Sequence, residues 1–305
     1  MPGRGGPTAG YPQGMGLIRR RRHQDFVPEP GGEDVAAELA ALSAEMEREL
    51  PEKHAAVREA WYRRKGSQRA KSLVGTVARV LGRGGLAAAK GAGYGGKALA
   101  DRLVTAAPRI PVRGLATLRA QHPTAVTPEE LAELITLGAC RSSAALGAGA
   151  GAAAMLPVPP AMAVEIAAET LSVAAVEIKL IAELHEIYGT PALGTATQRA
   201  AAYLGAWADG RGIDRMALIR PAGLAAMAVG SEVRQKVRKR LARSTLRKLP
   251  SLIPLLIGAG IGATMNRRDT RRLADRVRAD LAGRAPLDAG YWAAAAPGAG
   301  RAVES

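Results

Sequence analysis

Two ionisable residues lie on the apolar side of a helical pattern. The segment 161–188 is rich in Ala, Val, Leu and Ile, and at 100° per residue most of its polar side chains fall on one narrow stripe. Glu177 lies off that stripe, and His185 lies on the side opposite to it. A buried carboxylate needs a partner or has a raised pKa. We expect Glu177 to pair with an arginine of a neighbouring helix; the alternative is an enzyme that uses a buried Glu177.

Other catalytic and cofactor chemistry has little support. The single cysteine, Cys140, excludes an intramolecular disulfide framework and any multi-cysteine zinc or iron–sulfur site, and the four His are scattered. Residues 91–97 match GxGxxG, but no strand-like segment precedes them, which indicates a flexible linker rather than a nucleotide loop. The sequence predicts a non-enzyme with no catalytic, metal or cofactor-binding residues.

A cluster of cations between residues 234 and 248, the basic stretch, is more informative. It contains no acidic residue. Val233, Val237 and Leu241 recur every four residues, so one helix face is apolar while the rest is cationic. The predicted membrane-surface cations are Arg234, Lys236, Arg238, Lys239, Arg240, Arg243, Arg247 and Lys248.

An apolar segment, residues 249–266, follows the basic stretch directly. Its large aliphatic side chains favour insertion into a membrane by on the order of 3 kcal/mol. More arginines follow it, and cations on both flanks argue against crossing the bilayer. The segment therefore either dips into the cytoplasmic leaflet or packs in a protein core. The residues concerned are Leu252, Ile253, Leu255, Leu256, Ile257 and Ile261.

Small residues mark two helices that are expected to pack closely. Gly147 and Gly151 are four positions apart, as are Gly258 and Gly262, and this spacing lets helix backbones approach each other. The stretch 142–156 favours insertion by only about 1 kcal/mol. We therefore interpret it as a tightly packing helix.

The elements that position these residues are all helices. Thr127, Pro128 and Glu130 form a predicted capping box that begins the core, and Gly189 is expected to end the helix over 161–188. We predict an all-α, multi-helix bundle with disordered termini. Its expected divisions are a Gly/Pro/Arg tail (1–32), a helical segment (33–65), a Gly-rich basic linker with weak helices (66–119), a helical domain (127–281) and a disordered tail (283–305).

Composition and the length of the apolar stretches limit the fold class and the location of the protein. The 305 residues carry a net charge of +16, and aromatic residues make up only 3%, which argues against a β-sandwich or barrel. The N-terminus has no apolar signal region, and no stretch reaches the roughly 20 apolar residues that span a bilayer. These features predict a cytoplasmic protein that is peripheral at the inner face of the membrane, with integral insertion as the alternative.

An ordered set of motifs resembles the bacterial EcsC family over about residues 127–281. The motifs are a Gly/Ala-rich helix ending in prolines (147–160), Ile187-Tyr188-Gly189, Lys248-Leu249-Pro250, the glycines of 257–262, and Asn266 before an Arg-rich helix. The resemblance implies an α-helical, membrane-associated bacterial protein, linked by the family's name to a transporter component. It implies no catalytic residues.

The expected function is a non-enzymatic helical module on the cytoplasmic face of an anionic membrane, accessory to a transporter or another membrane complex. Anionic lipid is the expected partner. Nucleic acid is the alternative partner, since the same cations neutralise phosphates, but the sequence lacks aromatic stacking platforms and a recognisable binding motif. A solvated basic face without a partner is a further alternative.

Overall fold

The computed structural model describes residues 32–50, 55–83, 92–153, 159–210, 212–213, 222–248 and 258–296. Their secondary structure is helical and contains no strand, so the predicted all-α bundle is confirmed for this part of the chain. The helices are α1 (Gly32–Glu47), α2 (Ala55–Arg83), α3 (Ala92–Ala106), α4 (Leu115–Gln121), α5 (Pro128–Ala153), α6 (Pro159–Ile187), α7 (Ala196–Asp209), α8 (Ala222–Lys248), α9 (Gly258–Ala282) and the single turn α10 (Tyr291–Ala294). A short 3-10 turn, Ala107–Arg109, follows α3.

Helix α6 is the centre of the bundle. Helices α2, α5, α7 and α9 all pack against it. Leu180, Ile181 and Leu184 are at most 1% exposed, as expected of a helix that is apolar around most of its circumference. Two members of its polar stripe, Lys179 and Glu183, are also buried, so they face other parts of the protein rather than solvent.

Local signals set the ends of several helices. The hydroxyl of Thr127 accepts the Glu130 amide at 3.2 Å, and the Glu130 carboxylate accepts the Thr127 amide at 3.2 Å, so the predicted capping box that begins α5 is confirmed. Gly189 has φ +66°, a left-handed conformation that favours glycine and ends α6 as expected.

Residues 66–83, for which the sequence predicts a linker with weak helices, continue α2 as one long helix. Ala70, Leu73 and Val77 form a buried stripe at three- and four-residue spacing. A Cβ on Gly66 would lie 3.0 Å from the Cβ of Ala145, so this glycine brings α2 close to α5. Tertiary packing therefore compensates for the low helix propensity of the glycines.

Residues 283–296 differ from the predicted disordered tail, because they dock on the bundle. The amide of Leu287 donates to the carbonyl of Gly189 at 2.9 Å. The guanidinium of Arg119 stacks on Trp292, 4.3 Å from the ring centroid. The aromatic pair Tyr291-Trp292 supplies the buried area that the rest of this Ala/Gly-rich segment lacks. The remaining predicted tails, 1–31 and 297–305, lie outside the described residues.

Candidate functional site

The basic helix α8 packs on α3 and α7 through its apolar face. Val237 and Leu241 are at most 1% exposed, and Val233 is half-buried. The opposite face is exposed and cationic. We call its four exposed cations the cationic stripe, and they are Arg234, Arg238, Lys239 and Arg243. The i, i+4 spacing within the pairs 234/238 and 239/243 places these charges along the solvent side of one helix.

The remaining cations of the basic stretch are placed differently. The Nζ of Lys236 lies 3.2 Å from Asp209 and 3.1 Å from Glu232, and the hydrogen bonds to these two carboxylates raise its pKa. Arg240 was predicted at the membrane surface; instead it forms an ion pair with the buried Glu177. It therefore does not belong to the surface set. The side chains of Arg247 and Lys248 lie outside the described residues.

Glu177 has the arginine partner that the sequence predicts. Its Oε2 accepts hydrogen bonds from Trp207 Nε1 at 2.7 Å and from Arg240 Nη2 at 3.2 Å. Its Oε1 accepts one from the Thr270 hydroxyl at 3.2 Å. Three helices thus meet α6 at one carboxylate whose two oxygens are both occupied. This arrangement suits a structural junction, because three of the roughly four acceptor sites of the carboxylate are already engaged.

Arg240 is the residue that attaches α8 to this junction. Its guanidinium lies 4.4 Å from the Trp207 ring centroid and also donates to the Trp207 carbonyl. Desolvation by burial lowers the pKa of Arg240, although the charge of Glu177 opposes that effect. The cationic stripe is therefore held on the bundle by a partly buried cation on the same helix.

A polar seam continues from Glu177 between α5, α6 and α9. The Thr270 hydroxyl also lies 2.9 Å from the Ser143 hydroxyl. The side-chain amide of Asn266 donates to Glu169 at 2.9 Å and to the Ser143 carbonyl at 3.3 Å. All four of these side chains are buried, and these hydrogen bonds fix the register of α9 against α5 and α6.

A second buried charge cluster was not predicted. The guanidinium of Arg113 donates to Glu183 at 2.8 Å through both Nε and Nη2, and to Glu47 at 2.6 and 2.9 Å. Lys179 also donates to Glu183. The sequence placed Lys179 and Glu183 on one stripe, but Arg113 comes from a segment that was interpreted as a linker, so nothing in the pattern connected them.

This second cluster keeps the Glu47 carboxylate ionised. Burial by itself raises the pKa of Glu47, but the imidazole of His122, 3.5 Å from its Oε2, and the charges of Lys179 and Arg113 outweigh burial and lower the pKa to about 2. Burial lowers the pKa of Arg113, but its bonds to Glu183 and Glu47 outweigh that effect and raise it. Paired charges of this kind fix the positions of α1, α6 and the loop before α4.

His185 is a buried structural histidine. Its Nδ1 donates to the Thr190 carbonyl at 2.9 Å, and its Nε2 accepts the Ile213 amide at 3.2 Å. Desolvation lowers its pKa to about 4, so the ring is neutral near pH 7. Both ring nitrogens are occupied by backbone groups that lie beyond the end of α6.

Gly147 and Gly262 bring α5 and α9 together. A Cβ on Gly147 would lie 2.5 Å from the carbonyl oxygen of Gly262, and a Cβ on Gly262 would lie 2.7 Å from that of Gly147. Gly151 and Gly258 belong to the same two helices, but their surroundings lie outside the described residues. The same holds for every large aliphatic residue predicted to dip or to pack, namely Leu252, Ile253, Leu255, Leu256, Ile257 and Ile261.

Comparison of the chain with protein-family models, with curated proteins and with solved structures finds no match. The EcsC resemblance therefore stays a prediction from the sequence motifs. Among the described residues, no helix is both long and apolar enough to cross a bilayer. In the same part of the chain, no group of three or more His, Cys, Asp or Glu side chains is arranged to hold a metal ion.

Proposed function

We propose that this protein is a non-enzymatic, peripheral module that binds the anionic cytoplasmic face of a bacterial membrane through the cationic stripe of α8. The observation that carries the proposal is the separation of the two faces of α8. Val237 and Leu241 are buried, while the four stripe cations are exposed on the other side. Exposed cations on the solvent side of one helix are complementary to a surface of anionic headgroups.

The electrostatic free energy of the four stripe cations is sufficient for reversible binding to an anionic membrane. Each Lys or Arg close to an anionic leaflet contributes about 1 kcal/mol, so four stripe cations contribute at most about 4 kcal/mol. From Arg234 to Arg243 the helix rises about 14 Å, so the four cations are concentrated in a short length of α8. Charge alone gives marginal attachment, and a second, apolar anchor makes it stable.

The proposed location and the proposed partner complex are inferred from the sequence. The resemblance to the EcsC family supports a membrane-associated bacterial protein and an accessory role beside a transporter or another membrane complex. A structural rather than catalytic role for Glu177 agrees with a non-enzymatic module, because Trp207, Arg240 and Thr270 occupy both of its oxygens.

The test is sedimentation of the full-length protein with vesicles of phosphatidylglycerol and phosphatidylcholine at 10 mM and 500 mM salt. The stripe variant changes all four stripe cations to Gln. The matched control changes four exposed cations of α2 to Gln, which removes the same charge from another helix; these are Arg63, Arg64, Lys71 and Arg79. Thermal melts confirm that both variants are folded.

We expect the stripe variant to bind at least tenfold, and at most about a thousandfold, more weakly at low salt. Its residual binding should depend little on salt, and the α2 variant should bind nearly as well as the parent. Equal losses in the two variants would mean that total charge, and not the stripe, drives binding. Unchanged binding by the stripe variant would rule out the proposal. Retention of short duplex DNA by the parent in preference to vesicles would favour the nucleic-acid alternative.

A further inference from the structure

Helix α2 has a row of exposed cations on the side opposite to its buried face. At 100° per residue, Arg64, Lys71 and Arg79 lie within about 80° of one another, and all three are exposed. Leu73, in the middle of the buried stripe, lies on the other side of the helix. Arg63 is also exposed and adjoins the row. We call these four cations the α2 row.

The protein does not neutralise the charge of the α2 row. Glu59 is the single acidic residue in the sequence of α2. Arg69, which lies outside the row, pairs with Glu45 at 3.9 Å, but within the part of the chain that the structure describes no row cation pairs with a carboxylate. Arg79 donates to the hydroxyl of Thr76 at 2.9 Å, which leaves its charge uncompensated. The row is therefore available to an anionic partner.

The surface around the α2 row is polar. The other exposed residues between 63 and 79 are Gln68, Ser72 and Gly75, and none of them is large and apolar. The core of a protein–protein interface is rich in apolar and aromatic side chains, and stable membrane attachment needs an apolar anchor. Helix α8 leads directly into the apolar segment 249–266, whereas the α2 row has no such companion. This composition fits a polyanion that is bound through counterion release.

The α2 row and the cationic stripe lie on different sides of α6. Glu177 of α6 contacts α7, α8 and α9. Lys179 and Glu183 lie about 200° and 240° farther around the same helix, in the charge cluster that contains Glu47 of α1. Helix α2 packs on α1, α5 and α6 through its buried face, so the α2 row points away from α6 on the α1 side. A partner on the α2 row therefore leaves the stripe of α8 uncovered.

We propose that the α2 row binds the phosphate backbone of double-stranded DNA without reading its sequence. The inference goes beyond the proposed function and does not depend on it. Guanidinium groups match phosphate geometry, and three of the four row cations are arginines. Single strands are a poorer match, because their binding surfaces use aromatic side chains on which the bases stack, and the row has none.

The dimensions of the row suit a duplex. From Arg64 to Arg79 the helix rises about 22 Å, which is the length of about six base pairs at 3.4 Å each. Gly75 lies within the row, and a Cβ at this position would have nothing within 4 Å. A phosphate backbone can therefore approach α2 closely between Lys71 and Arg79.

The number of cations predicts the salt dependence of binding. Four neutralised phosphates give a slope of about −3.6 in a plot of log K against log salt concentration. The affinity for a duplex should therefore fall by about 150-fold between 50 and 200 mM salt. Each cation that is removed should reduce the slope by about one.

The first test is fluorescence anisotropy of a labelled 20-base-pair duplex of mixed sequence with the full-length protein. The α2 variant changes the four row cations to Gln, and the stripe variant of α8 is the matched control because it removes the same charge. At 100 mM salt we expect the α2 variant to bind at least tenfold more weakly, with its slope reduced by about three to four. The stripe variant should bind within about threefold of the parent. Equal losses in both variants, or no binding by the parent, would overturn the inference.

A pair of single substitutions keeps the test independent of folding. Gly75→Glu and Gly230→Glu each place a carboxylate on a helix where a Cβ has nothing within 4 Å. Gly75→Glu offsets one cation of the α2 row and should weaken duplex binding about eightfold at 100 mM salt. Gly230→Glu, on α8, should bind the duplex nearly as well as the parent. Equal affinities of the two variants would refute the assignment to α2.

A combined assay asks whether the two cationic surfaces act separately. Phosphatidylglycerol vesicles are sedimented with the protein and the labelled duplex. We expect the parent to carry the duplex into the pellet and the α2 variant to sediment without it. Displacement of the duplex by vesicles would mean that both use one surface, and tighter binding of polyglutamate than of the duplex would assign the row to an acidic protein. Either result overturns the inference, while the proposed function is judged by vesicle binding of the protein alone.

Discussion

Replacing Arg240 with Gln tests the junction that holds α8 on the bundle. The substitution removes the ion pair with Glu177, whose side chain is only 7% exposed, and the stacking on Trp207. Removing one partner of a buried pair costs about 3–5 kcal/mol, because the other charge stays desolvated. The Arg240 side chain is 23% exposed, so water partly solvates the charge that is left behind. We therefore expect the free energy of unfolding to fall by about 2–3 kcal/mol.

The assay is thermal unfolding followed by circular dichroism at 222 nm. For a chain of this size each kcal/mol shifts Tm by about 2–4 °C, so Arg240→Gln should lower Tm by roughly 5–10 °C. The matched control is Lys236→Gln on the same helix. The partners of Lys236 are also carboxylates, but its side chain is 40% exposed, so this substitution should lower the free energy of unfolding by less than about 1 kcal/mol.

A double variant checks the physical cause. Glu177→Gln in the Arg240→Gln background removes the stranded charge, so the double variant should be less destabilised than the sum of the single variants by at least about 1 kcal/mol. Additive losses would mean that the two groups do not interact. A Tm for Arg240→Gln within about 2 °C of that for Lys236→Gln would refute the assignment of Arg240 to a buried junction.

Three further predictions address packing and protonation. Gly147→Ala should destabilise the protein by about 1–3 kcal/mol, because the added Cβ would meet the backbone of α9. Gly75→Ala, whose Cβ would have nothing within 4 Å, should instead stabilise the protein by about 0.5–1 kcal/mol. Urea unfolding compares the two variants, and equal effects would contradict the close contact at Gly147. The lowered pKa of His185 means that the unfolded chain binds a proton more readily than the folded chain. The free energy of unfolding should therefore fall as the pH drops from about 6.5 to about 4, by about 2 kcal/mol at pH 5. Thermal melts at stepped pH should show a flatter slope for His185→Asn, and an unchanged slope would show that other groups cause it. Burial raises the pKa of Cys140 to about 11, so its thiol should react with Ellman's reagent only after unfolding, and rapid reaction of the native protein would place it at the surface.

Local patterns determined much of the helical architecture. The box of Thr127 and Glu130 and the glycine at 189 act through backbone groups a few residues away, so neighbouring residues suffice to predict them. The spacing of Val237 and Leu241 likewise identified the buried face of α8, because helical geometry alone places i and i+4 on one side.

Local sequence is a poor guide in two segments whose structure depends on tertiary packing. Residues 66–83 contain glycines and many cations, and they are helical because Leu73 and its neighbours are buried against other helices. The segment 283–296 is poor in apolar residues, but Tyr291 and Trp292 dock it on the bundle. Neither contact follows from propensity, since residues 66–83 pack on α1, α5 and α6 and Trp292 stacks on Arg119, 173 positions away.

The sequence by itself determined that the protein is helical, strongly basic and equipped with one cation-rich amphipathic helix, because composition and periodicity are properties of neighbouring residues. Only the tertiary structure decided which cations are exposed. Arg238 and Arg240 are two residues apart on α8, but one faces solvent and the other meets Glu177, a residue 63 positions away. Partners that distant are chosen by how the helices pack, so the division between surface charge and buried junction exists only in the folded chain.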